Sequence, residues 1–252
     1  MGAIMTSSLK SLSPQALLDS ALRKATTIPS ATIKAHVDSL RRKNPTATPE
    51  QIVDILSSEF KLFLQGSGGA VGASAALPGV GTTTALVLTS ADLAAFFAAA
   101  SAYSLAVAEV HGLETQDVER RTALLLASVL GDSGAKTVAS LGARPSAAWG
   151  KTLLTAMPKS TIKQVNSVLS SRFIKRQLVK HGGVAMGRVI PFGIGAVVGI
   201  VGGRALAHTV IHQTTRAFGA APASFASPLT SVIESQPISD DSPDIPPQVA
   251  DR

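Results

Sequence analysis

The sequence predicts an all-α protein: a helical bundle with two Gly/Ala-rich central helical segments and a disordered C-terminal tail. Three observations predict it. Apolar residues recur at helical spacing through most of residues 14–218, and no segment alternates at the period of two that a half-buried strand requires. Ser, Thr and Pro stand ahead of several apolar runs and Gly stands behind them, the asymmetry of helix starts and stops. Hydrophobic residues make up 45% of the chain but aromatics only 4%, so Ala, Val, Leu and Gly do the packing, which suits helices in close approach.

The elements follow in order. Ser13-Pro14 reads as an N-cap with proline at the first helical position, and Leu17, Leu18, Ala21 and Leu22 continue that helix. A second helix runs from about Ser30 to Lys43. In TPEQIVDILSSEFKLFL, Thr48 caps a third, whose stripe is Ile52, Ile55, Leu56, Phe60 and Phe63. A short Gly/Ala helix is expected from about Ser67 to Ala76, broken by Leu77-Pro78-Gly79. A long helix then spans about Thr82 to Val110 and ends at Gly112. In TQDVERRTALLLASVLG, Thr115 is the expected cap and acids occupy the first turn.

Residues 133–157 carry one or two short helices around Pro145 and Trp149. Pro158 to Lys180 forms another, with Ile162, Val165, Leu169 and Phe173 on one face, interrupted by the HGG at 181–183. The last helix runs from about Pro191 to Phe218. We divide the chain into N-terminal helices (1–65), a helical domain (66–219) and an acidic Pro/Ser-rich tail (220–252). The tail holds too little apolar surface to offset the entropy of ordering it.

Charge is distributed unevenly. Residues 1–132 hold 10 Lys/Arg and 11 Asp/Glu, residues 133–233 hold 12 Lys/Arg and no acid, and residues 234–252 hold five acids and one Arg. A hundred residues without a carboxylate imply an anionic neighbour. With no cysteine, a disulfide framework, a Cys-zinc site and a thiol nucleophile are excluded. The N-terminus, MGAIMTSSLKSLSPQ, lacks the apolar core of a signal peptide.

The glycines do not build a phosphate loop. A P-loop needs a lysine after its second glycine, and no Lys or Arg occurs between Lys61 and Arg120. Gly66, Gly68 and Gly72 also have the wrong spacing for a dinucleotide loop, and a helix rather than a strand precedes them. A membrane span fits better but incompletely. The only charge between Phe63 and Glu109 is Asp92, yet that acid costs about 2.5–3.5 kcal/mol at a helix centre. The second apolar stretch, VIPFGIGAVVGIVGG, has 15 residues between Arg188 and Arg204, short for a span. Gly68 and Gly72 form one G-x-x-x-G, and Gly195, Gly199 and Gly203 form two in tandem. That spacing lines up glycines on one helix face for backbone approach, so the two stretches are expected to pack against each other.

LPGVG at 77–81, a helix with an internal Asp, AVAEVHGLETQDVERRTALLLASVLG and RVIPFGIGAVVGIVGGRALAHTVIHQTTRAFG together resemble the EcsC family of bacterial proteins. The corresponding motifs are His111-Gly112-Leu113-Glu114 and Ile190-Pro191 through Gly199, and the resemblance covers about residues 55–219. This chain has His111 where an aromatic is common and Gly203-Arg204 where an Asn is common. The resemblance implies association with membranes or transport, and no reaction.

The candidate residues fall into three groups. Arg172, Lys175, Arg176, Lys180 and Arg188 are read as a membrane- or anion-binding set, because cations beside Phe173, Ile174, Leu178 and Val179 suit an anionic bilayer. Nucleic acid is disfavoured, since stacking aromatics are limited to Phe173 and Trp149. The five G-x-x-x-G glycines are read as helix-packing residues. Asp92 is the one acid in an apolar run and a candidate buried functional group; at ~25 Å from Glu109 along one helix it cannot share a bond with it. His208 and His212, spaced i, i+4, have no acid within twenty residues and no H-E-x-x-H pattern, so no metal site and no cofactor are expected. The reading is a non-enzymatic, membrane-associated protein, cytoplasmic with peripheral or integral attachment, whose partner is anionic lipid or a membrane protein, transport-related by the resemblance. The alternative is a soluble hydrolase-like enzyme using Asp92 in an apolar cleft.

Overall fold

The structure, a computed structural model, describes residues 14–74, 82–142, 148–182, 194–226 and 229. Within them, the side chains of 14, 17, 67–74, 82–92, 177–182 and 194–202 lie outside the description. The described residues form helices α1 (Pro14–Thr26), α2 (Ser30–Lys43), α3 (Pro49–Ser74), α4 (Thr82–Val110), α5 (Val118–Leu130), α6 (Asp132–Leu141), α7 (Trp149–Thr155), α8 (Lys159–Gly182) and α9 (Ile194–Phe218), with no strand among them.

α4 is the central helix. It packs against α1, α2, α3, α5 and α9. Its residues Phe97, Ala100, Ala106, Val107, Ala108 and Val110 are all but completely buried. A helix enclosed on several sides is apolar all round. Its window Leu93–Val110, with mean hydropathy 1.6, is the one among the described residues long and apolar enough to cross a membrane, and 56% of it is buried inside the bundle. Hydroxyls answer one another in this core: Ser57 Oγ and Tyr103 Oη lie 2.9 Å apart, and Ser104 Oγ and Thr214 Oγ1 3.2 Å apart. Burial, partly offset by the Ser57 bond, pushes the Tyr103 phenol up to about 12.

α3 begins with a capping box. Gln51 N–H donates to Thr48 Oγ1 (3.3 Å) and Thr48 N–H donates back to Gln51 Oε1 (2.8 Å). The helix then passes through Gly66, Gly68, Gly69 and Gly72 without a break, where the sequence predicts two separate helices. The boundary drawn at residue 65 therefore falls inside one helix. The physical reason lies in α9, which forms with α3 the most extensive helix pair among the described residues. Glycine costs about 1 kcal/mol per helical position, and packing against a second helix outweighs it. At Gly203 the approach is so close that an added Cβ would overlap the carbonyl oxygen of Leu64.

The ends of the middle helices agree with the sequence reading at one point and depart from it at another. α4 ends as predicted, at Gly112 with φ +70°, and the N–H of Leu113 reaches back to the Ala108 carbonyl (2.9 Å). The cap of α5 is Asp117, not Thr115: its Oδ1 accepts from Glu119 N–H (2.9 Å) and Arg120 N–H (3.2 Å). Thr115 Oγ1 instead accepts from Asp117 N–H (3.2 Å), one step upstream. A carboxylate at the N-cap adds a favourable charge–dipole interaction that a hydroxyl lacks.

After α9 the chain turns at Gly219 and crosses the α4–α5 corner. Arg41 stands 4.1 Å over the Phe225 ring, and the Ala226 methyl lies against Gly112. The first residues assigned to the tail thus pack on the bundle. The acidic residues 234–252 lie outside the described residues.

Candidate functional site

Two kinds of cation occur in this protein. Arg120 and Arg121, at the start of α5, are turned inward. Arg121 is only 4% exposed. Its Nε donates to the Thr115 carbonyl (2.7 Å), its Nη1 to the carbonyls of Thr26 (3.2 Å) and Ile28, and its Nη2 to Ser30 Oγ (2.5 Å). It therefore closes the C-terminal end of α1 and the α1–α2 connection, where helix carbonyls lack partners. Burial lowers its pKa. Arg120 does the same for α7, donating to the carbonyls of Leu153 and Met157 (2.7 Å for the latter). A concavity of about 570 Å³ beside Arg121 also borders Lys34 and Glu114, but most of the Arg121 donors are already spent on protein oxygens.

The second kind lies on α6 and α8 and faces outward. α8 buries Ile162, Val165, Leu169 and Phe173, the face its periodicity predicts, against α5 and α6. Lys159, Lys163, Arg172, Lys175 and Arg176 are exposed. Arg172 donates to Thr137 Oγ1 (2.6 Å) and to the Ser133 carbonyl (3.3 Å), which fastens α8 to α6. Lys136, also exposed, is the neighbour of Thr137, and Lys175 and Arg176 follow Arg172 by one turn. Arg172, Lys175 and Arg176 thus share one exposed face of α8, and Lys136 lies on α6 next to the residue that Arg172 holds. The acid closest in sequence, Asp132, is taken: Gln213 Nε2 (2.9 Å) and Arg216 Nη1 (2.8 Å) both reach its Oδ1, and these bonds hold its carboxyl below the usual range. Among the described residues no cation of α6, α7 or α8 has a carboxylate within 4 Å; in the acid-free stretch only Arg216 has one.

Of the predicted binding set, the structure brings Arg172, Lys175 and Arg176 together. Lys180 lies on α8 with its side chain outside the described residues, and Arg188 lies outside them altogether. Gly68 and Gly72 are on α3, and Gly195, Gly199 and Gly203 on α9; the surroundings of Gly203 alone are described. Asp92 is on α4, with its side chain outside the described residues. His208 and His212 stack in parallel at 6.3 Å, and no group of three metal-ligating side chains occurs among the described residues.

Sequence reasoning missed Lys136, which is isolated on its own short helix. It also missed the inward role of Arg121. A signal for the latter exists: Arg121, Leu124, Leu125 and Ser128 are all buried and share one stripe at i, i+3, i+4 and i+7.

No protein-family model, curated protein or solved structure matches the chain. The resemblance to the EcsC family rests on its glycine-proline motifs alone.

Proposed function

We propose that this protein is a non-enzymatic, membrane-associated helical protein of the EcsC type, which docks on the anionic cytoplasmic surface of a membrane through the cations of α6 and α8. One observation carries the reading. Among the described residues the exposed cations of α6 and α8 have no carboxylate within 4 Å, in contrast to Lys34 (3.0 Å) and Arg41 (3.2 Å), which share Asp38. Clustered, unneutralised Lys and Arg on one surface attract anionic headgroups at about 1 kcal/mol each.

The test is co-sedimentation of the triple variant Lys163→Glu, Lys175→Glu, Arg176→Glu with phosphatidylglycerol vesicles. Loss of three attractive charges removes about 3 kcal/mol, so binding falls on the order of a hundredfold, with helix content and unfolding midpoint unchanged. Undiminished binding by the folded variant sinks the assignment of this face.

A further inference from the structure

We infer that the acidic segment 234–252 of this chain docks in cis on the outward cations of α6 and α8 and competes there with anionic headgroups. The inference rests on the docking face proposed above and adds how that face is regulated.

The fold defines the face. Arg172, Lys175 and Arg176, spaced i, i+3 and i+4, lie on one exposed side of α8. Arg172 is bonded to Thr137 of α6 (2.6 Å), the residue after the exposed Lys136. None of these four cations has a carboxylate within 4 Å among the described residues. The acid of α6, Asp132, is held by Gln213 and Arg216. Like charges gathered without a counter-charge repel one another, so the face favours an acid brought from elsewhere.

The sequence supplies one. Residues 133–233 contain no acid, and the nineteen that follow contain five: Glu234, Asp240, Asp241, Asp244 and Asp251. Asp240, Asp241 and Asp244 fall within five residues of chain, as Arg172, Lys175 and Arg176 do.

The fold also fixes the point from which this segment departs. After α9 the chain turns at Gly219, φ +76°. Arg41 of α2 then stands 4.1 Å over the Phe225 ring, and the Ala226 methyl meets Gly112 at the end of α4. α5 starts at that corner and runs ~20 Å to the start of α6. Fourteen residues separate Ala226 from Asp240, and they span up to ~46 Å. The three clustered acids therefore reach the α6–α8 face from their anchor. A partner on the same chain is presented at on the order of millimolar local concentration, ahead of any separate acidic protein, and this selects the occupant. A bilayer offers headgroups to all four cations at once, so it competes with the carboxylates and is not shut out. With the segment docked about nine-tenths of the time, the apparent affinity for vesicles falls about tenfold and binding persists.

The experiment treats the unmodified chain at low salt with a water-soluble carbodiimide. The reagent joins a Lys amine to a carboxylate in contact with it as an amide and takes up the released water as a urea. Mass spectrometry then maps the joined peptides. Amides from Asp240, Asp241 or Asp244 to Lys136 or Lys175 within one chain are expected, and added phosphatidylglycerol vesicles are expected to reduce them severalfold. The variant Asp240→Asn, Asp241→Asn, Asp244→Asn is expected to bind those vesicles about tenfold more tightly than the parent. The inference is overturned by amides that join two chains, that persist on vesicles, or that spread evenly over the exposed Lys24 and Lys61 as well. Such a pattern overturns it even where the variant binds more tightly, because three fewer negative charges favour anionic lipid by themselves. Unchanged vesicle binding by the variant overturns it too. Failure of parent and variant alike to sediment with anionic vesicles overturns the docking reading; a parent that sediments but forms none of these amides overturns the cis contact alone.

Discussion

The start of α5 and the outer face of α8 use the same residue type in opposite ways. Arg121 is buried, holds four protein oxygens and closes the C-terminal end of α1. Arg176 is exposed and has no carboxylate near it among the described residues. What separates them is the acceptor. A guanidinium surrounded by helix carbonyls is consumed by the fold, and one left without acceptors is available to something outside. The lesson extends to the net charge of +7, which counts the inward cations of α5 and the outward cations of α6 and α8 alike.

The comparison breaks most visibly if the inward cation is removed. Arg121→Met leaves the carbonyls of Thr26, Ile28 and Thr115 without their donor, and hydrogen bonds to charged groups contribute about 1.5–3 kcal/mol each. A loss of at least ~3 kcal/mol in urea unfolding is expected, against under ~0.5 kcal/mol for Arg176→Met. Equal losses for the two would erase the distinction. Gly203→Val comes next: the added side chain meets the Leu64 backbone, and overpacking of this kind costs about 1–3 kcal/mol. Arg172 is intermediate, exposed yet bonded to α6. Arg172→Ala is expected to cost about 1 kcal/mol of stability and to weaken vesicle binding by no more than one of its neighbours does.

The smallest effect concerns pH. Burial raises the pKa of Glu109 above its ordinary 4.5, and the nearby Glu114 and Asp38 carboxylates add to the rise. A carboxyl whose folded pKa is raised stabilises the fold while protonated and loses that contribution as pH climbs through the raised value. Glu109→Gln is therefore expected to match or slightly exceed the parent in melting temperature at pH 7, with the difference vanishing below about pH 4. A parent that is more stable than the variant at pH 7 would mean that Lys34 and Arg41 outweigh burial there.

The helices were legible where caps and periodicity agreed. α2 spans Ser30–Lys43 and α4 spans Thr82–Val110, the predicted bounds, and the Thr48 cap of α3 holds. Sequence failed where distant partners decide. The single helix through residues 49–74 read as two, because the cost of its glycines is local, while α9, which packs along α3, lies more than a hundred residues away. The role of Arg121 was hidden because three of its four acceptors lie more than ninety residues upstream. Thr115 lost the cap of α5 to Asp117, a second eligible residue two positions on. The proposed docking surface was half legible: its acid-free stretch is plain in the sequence, but that α6, which carries Lys136, is fastened to α8 through Arg172 follows only from the fold.

The most direct test of the central claim is co-sedimentation of the unmodified chain with phosphatidylglycerol and phosphatidylcholine vesicles at low and high salt. Exposed cations are screened beyond about 8–10 Å at physiological ionic strength. The account predicts strong binding to the anionic vesicles, weak binding to the neutral ones, and a large loss of the former as salt rises from about 0.05 to 0.5 M. Equal binding to both lipids, or none to either, would contradict it.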